Sequence, residues 1–288
     1  MSVIVRVNGR SVGEGAAISA LDHGFLYANG LFETMRALGG RPFALERHLR
    51  RMSESGGVIG LPIPAEDLLA REVAAALEEA GEEDAYVRLT VTRGVGAPGP
   101  DPATCGEPTV TVVVKPFPAP PARWLREGIR TVTSSLRRND CSPLVRVKST
   151  NYLECILGKQ EARRQGADEA IFLDTRGLLA EATAWNVFFI DGGRLLTPDE
   201  RGAILPGVTR AIVLELAAAQ RIACERGAYP PEQLVSAQEA FLTNSLYGVA
   251  PLGSVDGTAI GDGAPGPVTH ALAAGYEALL ERHRRGGP

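Results

Sequence analysis

Lysine is nearly missing from this chain. Of the 30 basic side chains in 288 residues, all but Lys115, Lys148 and Lys159 are arginine. Arginine stays protonated near neutral pH and can neither form an imine nor serve as a base there. Chemistry that needs a nucleophilic amine therefore has three places to come from. Cysteine is sparse too: Cys105, Cys141, Cys155 and Cys224 are scattered, with no CxxC pair. That spacing speaks against a disulfide framework or a zinc site and for reduced thiols. The histidines are equally dispersed and no HExxH occurs, so no metal is expected. No apolar run reaches the ~18 residues that a membrane span requires. The start, MSVIVRVNGR, lacks the features of a secretory signal, and a cytoplasmic location is expected. Walker, GxGxxG and GxSxG loops are absent. The formal charge of -4, with acids and bases intermixed, offers no basic face to a nucleic acid.

What is present divides in two. Residues 1–117 read as a smaller α/β domain: a strand over Val3–Val7 ending at the turn Asn8-Gly9, a helix over Phe43–Met52, and a helix over Pro64–Ala80 stopped by Gly81. Strands follow at Tyr86–Arg93 and Thr109–Lys115. Between these two strands lies the Gly/Pro loop GVGAPGPDPATCGEP, long enough to act as an active-site lid. The proline-rich stretch at 118–125 reads as a stiff linker. Residues 126–288 read as a larger domain. Its strands are expected at Arg130–Ser135, Glu169–Leu173, Asn186–Ile190 and Glu239–Thr243, its helices at Asn151–Gln165, Val208–Gln220 and Pro267–Arg284. The mixed order predicts an α+β (α/β mixed) fold rather than a simple Rossmann alternation.

Several residues attract attention on local grounds. Lys148 lies in LVRVKSTNYLEC, where a short strand is expected to turn into a helix. Such a rigid, partly desolvated place suits an imine-forming amine. Lys159 is expected on a solvated helix face, and Lys115 at a strand end. Glu181, in LLAEATAWNVFF, is either a solvated loop acid or a buried carboxylate in need of a partner. Gly207, Val208 and Thr209 open a strong helix, which is either a routine start or an anion site. Thr243, Asn244 and Ser245 form a phosphate cradle or a simple turn. Arg51 is a phosphate donor or solvated helix surface.

Together these segments resemble the class IV (fold type IV) aminotransferases, which depend on pyridoxal 5'-phosphate (PLP). DHGFLYANGLFETMR, FALERHLRRM, VKSTNYLECILGKQEARRQGADEAIFLD, LAEATAWNVF, ILPGVTR and EAFLTNSLYGVAPL carry the resemblance, in order, nearly end to end. It implies a two-domain fold like that of D-amino acid aminotransferase, and a homodimer or higher homo-oligomer. By position, Lys148 is similar to the Schiff-base lysine and Glu181 to the carboxylate on the cofactor's ring nitrogen. Arg51, Val208, Thr209 and Ser245 are similar to the phosphate cup, and Tyr152 to a tyrosine near the cofactor. Tyr27, Phe32, Thr34, Arg36, Tyr86, Arg88 and Leu246 become substrate-pocket candidates.

The implied substrates are a small amino acid and a 2-oxo acid, but the motifs divide on the reaction. Tyr86-x-Arg88 resembles the pair of branched-chain aminotransferases. An arginine there forks onto an α-carboxylate, or else belongs to an outward salt bridge. Thr34, in FETMR, stands where those enzymes usually carry glycine and where aminodeoxychorismate lyase carries threonine. The loop after Arg93-Gly94 lacks both that lyase's Gly/Arg-rich segment and the Arg-x-His trap of D-amino acid enzymes. Transamination is the expected reaction, with branched-chain L-amino acids favoured over D-amino acids; elimination to pyruvate is the alternative.

Overall fold

The computed structural model describes residues 3–13, 15 and 17–287. They form two compact units. The first comprises residues 1–118 together with 147–151 and 280–288; the second comprises 119–146 and 152–279. The chain thus leaves the first unit through the proline-rich stretch and returns to it twice. One of those returns carries Lys148.

The first unit is built on a six-stranded antiparallel sheet. Its order is Arg10–Ser11, Ile4–Val7, Thr109–Pro116, Asp84–Thr92, Gly30–Leu38, Arg41–Pro42. Asn8 and Gly9 both adopt positive φ, 47° and 80°, as a tight hairpin demands. Two helices, Leu45–Ile59 and Glu66–Ala80, bury their apolar residues on one face of the sheet. There Leu49, Met52, Leu69 and Val73 meet Leu31, Met35, Val87 and Leu89. The second helix ends where expected, on a left-handed Gly81. The first continues to Ile59, well past the expected Met52.

The strand Gly30–Leu38 is not predicted by its own residues. Its sequence, GLFETMRAL, is rich in helix formers, yet it pairs along its full length with Asp84–Thr92. Alternation sends Leu31, Glu33, Met35 and Ala37 to the helix-covered face and Phe32, Thr34 and Arg36 to the other.

The second unit holds a mixed sheet ordered Cys224–Gly227, Arg194–Pro198, Asn186–Asp191, Glu239–Asn244, Gly248–Val255, Ile129–Arg138, Glu169–Asp174, Leu179–Ala182, with Thr258–Ala259 added to Gly248–Val255. Helix Leu153–Arg164 packs on the strands Ile129–Arg138 and Glu169–Asp174, and helix Val208–Ala219 on Glu239–Asn244. Trp185, Val187, Phe189, Leu242 and Leu252 lie in its main core. No helix among the described residues is long and apolar enough to cross a membrane.

Candidate active site

Within the first unit, Lys148 is held by strand pairing. The residues before it form a 3-10 turn, Pro143–Arg146, rather than the expected strand. Residues 148–150 then run along the free edge of Gly30–Leu38. The Phe32 N–H donates to the Lys148 carbonyl (3.0 Å) and the Thr150 N–H to the Gly30 carbonyl (2.9 Å), and Ser149 bridges Leu31. Val147 enters the core, so Lys148 belongs to the opposite face. Its Nζ lies 4.6 Å from the centre of the Phe32 ring, and its side chain is half-buried.

That face gathers most of the pocket candidates. Thr34 pairs with Arg88, and Arg36 with Tyr86, across the sheet. The Arg88 guanidinium stacks 3.7 Å above the Phe32 ring, a contact worth about 0.5–2 kcal/mol in general. No carboxylate pairs with Arg88 among the described residues, so the salt-bridge reading of this position is corrected. Arg36 is engaged elsewhere: it bonds Asp84 (3.3 Å) and stacks 4.2 Å over Phe117.

The other two lysines are accounted for. Lys115 lies 4.6 Å over the Tyr86 ring. Lys159, expected on a solvated face, instead donates to the Asp168 carbonyl and pairs with the buried Glu169 at 3.2 Å. The anchor at Glu169 lies ten residues along the chain, on a strand that helix packing brings back.

Arg51 is not solvated helix surface; it is 8% exposed. Its Nε and Nη2 donate to the two oxygens of Glu33, at 2.9 and 2.5 Å. His48, one turn earlier on the helix, meets the same carboxylate through Nδ1 at 2.6 Å. Burial raises the Glu33 pKa, but the Arg51 charge and then His48 outweigh it and hold the carboxyl down at about 2. Burial pulls His48 below its ordinary 6.5 despite the carboxylate beside it. The sequence alone singles out neither Glu33 nor His48.

The long loop after Arg93 is tied down. The Gly99 N–H donates to the Tyr27 hydroxyl (2.6 Å), His23 Nε2 meets the Ala97 carbonyl (3.0 Å), and Arg93 donates to the carbonyls of Gly60 and Pro102. The hydroxyl of Tyr27, one of the pocket candidates, is thus a loop anchor.

Within the second unit, Glu181 lies in the fully buried strand Leu179–Ala182, not in a loop. One oxygen pairs with the Arg138 guanidinium; the other accepts from the Asn186 amide (2.8 Å) and the Leu205 N–H (3.0 Å). Burial opposes the Arg138 charge, but Glu181 beside it leaves its pKa raised overall. Arg138 also lies 3.2 Å from Glu154.

Helix Val208–Ala219 begins at Gly207 with no side-chain cap, leaving the N–H groups of its first turn to other partners. The Thr209 hydroxyl, on a residue 2% exposed, has no hydrogen-bond partner among the described residues, and neither has that of Thr243, 1% exposed. Asn186 stands beside both places. It pairs with Thr243 across the strands, and a Cβ at position 207 would fall 2.0 Å from its Oδ1, so any larger residue there would push the Asn186 amide aside. Orphaned buried hydroxyls are rare and call for a missing partner. An uncapped helix start flanked by two of them suits a phosphate. Ser245 and Leu246 follow at the strand end, half-buried, in a turn closed by Asn244 Oδ1 on the N–H groups of Leu246 and Tyr247 (3.1 and 2.8 Å). Tyr152, half-buried, stands immediately before helix Leu153–Arg164, with no hydrogen bond from its side chain to the helix start. These groups fit a phosphate-bearing cofactor: donors for the phosphate and a desolvated carboxylate for a cationic ring.

The comparisons with known proteins agree with this chemistry. A Methanocaldococcus jannaschii protein assigned as a branched-chain-amino-acid aminotransferase is 37% identical over 93% of each chain. Aminodeoxychorismate lyase of Bacillus subtilis is 32% identical over 99% of this chain and 98% of its own. Among solved structures, the branched-chain amino acid aminotransferase of Escherichia coli superposes with a TM-score of 0.92 at 28% identity, covering 97% of this chain and 95% of that one. The family model described as amino-transferase class IV matches residues 30–255. With more than three-quarters of its length inside that match, the chain belongs to the class IV aminotransferases, a PLP-dependent family.

Proposed function

We propose that this protein binds PLP through Lys148 and moves an amino group between a small apolar L-amino acid and a 2-oxo acid. The observation that carries the reading is the placement of the three lysines. Lys159 is tied to Asp168 and Glu169 and Lys115 lies over Tyr86, whereas Lys148 shares the Phe32 ring with Arg88. When bound, PLP supplies an electron sink that stabilises negative charge at the substrate Cα.

The chain's own groups do the rest. The Lys148 amine takes the Cα proton and returns it to the cofactor side as general base and acid. Arg88, without a carboxylate partner and held flat by Phe32, receives the substrate carboxylate as a planar fork. Glu181, bonded to Arg138, Asn186 and the Leu205 N–H, would pair with a protonated ring nitrogen. The Val208 and Thr209 amides, the Thr209 hydroxyl and Ser245 would hold the phosphate, and the family resemblance gives Arg51 the same role. Tyr152 and Leu246 remain candidates beside the cofactor and the substrate.

The test is a half-reaction followed by visible absorbance. L-Leucine should discharge the lysine-bound cofactor faster than D-alanine, and a 2-oxo acid should restore it. No visible absorbance in protein supplied with PLP, or none lost on replacing Lys148 by alanine, would overturn the reading. One observation favours a second reading: Thr34 stands on the same face as Arg88 and Lys148. Pyruvate release from aminodeoxychorismate without any amino acceptor would establish the lyase instead.

A homo-oligomer is part of the proposal. Leu153, Ile156 and Leu157 stand 62%, 50% and 42% exposed on one side of a helix, an apolar stripe of the kind that marks association surfaces. Light scattering should give at least a dimer.

A further inference from the structure

We infer that Asp84 is a positioning residue that ties up Arg36, so that the substrate-side face of the first sheet takes an apolar side chain in place of a second carboxylate. The inference rests on the reading above, in which Arg88 receives the substrate α-carboxylate. Asp84, Tyr86 and Arg88 alternate onto one face of their strand, opposite Leu38, Arg36 and Thr34. Arg36 and Arg88 are therefore diagonal neighbours, which in general stand about 7–8 Å apart. Glutamate can bridge that span with its two carboxylates. A face bearing two such arginines suits a dicarboxylic acid unless one of them is already engaged.

Asp84 engages Arg36. Its Oδ2 accepts from Arg36 Nη2 (3.3 Å) and from Arg284 Nη2 (2.7 Å), and Arg284 lies 3.7 Å from Glu281 as well. Two guanidinium groups thus face two carboxylates, and the four together carry no net charge. Burial opposes ionisation of Asp84, but the bonds from Arg284 and Arg36 hold its pKa below the ordinary 3.8, so it is charged under working conditions. Arg36 still has a donor to spare: its Nε is buried without a hydrogen-bond partner among the described residues. Once Asp84 is neutral, that donor and an uncompensated charge become available to an acidic side chain.

The fold holds this pair in place. The Asp84 carbonyl accepts from the Phe117 N–H (3.2 Å), and Arg36 lies over the Phe117 ring. The last turn of the C-terminal helix is fastened nearby. Arg41 Nη2 donates to the carbonyls of His283 and Arg284, and the His283 ring meets Phe43 edge-on at 5.3 Å. Arg284 reaches Asp84 from that anchored turn.

The experiment takes protein supplied with PLP and compares glutarate with pentanoate, which has as many carbons but one carboxylate. Calorimetry gives a dissociation constant for each, and their ratio isolates what the second carboxylate contributes. In Asp84→Asn, glutarate should gain at least tenfold on pentanoate relative to the wild type. Half-reaction kcat/KM should shift from L-leucine towards L-glutamate by a like factor. Both gains should vanish when Arg36→Gln is added. Arg284→Gln removes the C-terminal partner but leaves Asp84, and its ratio should stay within twofold of the wild type. An unchanged ratio in Asp84→Asn overturns the inference, as does a gain that survives Arg36→Gln. A gain of equal size in Arg284→Gln also overturns it, because the change then comes from a loosened C-terminal turn. Should Asp84→Asn not fold, Asp84→Ser is uncharged too and carries the same expectations. A wild-type protein that converts neither amino acid would overturn the transaminase reading alone; the two binding constants would still decide this inference.

Discussion

Acid should unfold this protein earlier than its surface charges require, and the buried cluster at Glu33 says by how much. In the folded chain Glu33 loses its proton near 2, against an ordinary 4.5. A carboxyl whose folded pKa is depressed contributes stability in full above the unfolded value and forfeits it as pH falls toward the folded one. The gap between 4.5 and about 2 is worth about 3 kcal/mol in full, of which about 2 kcal/mol is gone by pH 3. His48 acts in the same direction from higher pH. Its folded pKa lies below 6.5, so the unfolded chain takes up that proton first and stability begins to fall below pH 6.5. Urea unfolding followed by far-ultraviolet circular dichroism between pH 7 and 3 reads both stages. In Glu33→Gln the stage below 4.5 should flatten by about one proton, while the His48 stage persists. Parallel curves for the two proteins below pH 4.5 would refute the reasoning.

Other outcomes follow from the same contacts. Lys148→Ala should lower the transamination rate by roughly 10²–10⁴ or more, the range expected for loss of a general base, with the other two lysines unable to substitute; single-turnover absorbance measures it. Thr209→Val removes a buried hydroxyl that has no partner. It should stabilise the cofactor-free protein by roughly 1 kcal/mol while weakening PLP binding, and melting curves with and without PLP separate the two effects. Gly94 sits at φ 88°, and a Cβ there would fall 2.0 Å from the Glu107 carbonyl oxygen. Gly94→Ala should therefore cost more than about 1 kcal/mol and speed proteolysis within the loop 97–103.

Much of the fold is legible where local chemistry decides it. The helix over Pro267–Arg284 has the bounds its sequence predicts, and Gly81 stops its helix in the left-handed conformation expected of it. The failures share a cause. GLFETMRAL carries helix-forming residues and a charge on its buried side, so neither propensity nor alternation marks it as a strand. Its pairing with Asp84–Thr92 along nine residues overrides both. Glu181 reads locally as a loop acid because two of its partners, Arg138 and Leu205, lie 43 and 24 residues away. The strand expected before Lys148 is absent for a related reason: 148–150 take their hydrogen bonds from residues 30–32, more than a hundred positions away.

The near-absence of lysine takes on meaning once the faces of the first sheet are known. Arg88 and Lys148 both lie against one aromatic ring, yet the two cations are not interchangeable. Arginine keeps its charge at any working pH and presents a planar fork, which suits holding a carboxylate but bars it from proton transfer. Lysine can shed its proton and bond covalently to a carbonyl carbon. A chain that answers most of its needs for positive charge with arginine has few amines able to compete for an aldehyde. Of the two lysines besides Lys148, one is bound to a buried carboxylate and the other lies over a tyrosine ring. On the proposed role of Lys148, selectivity for one amine would be set twice, first by composition and then by which strand edge residues 148–150 join.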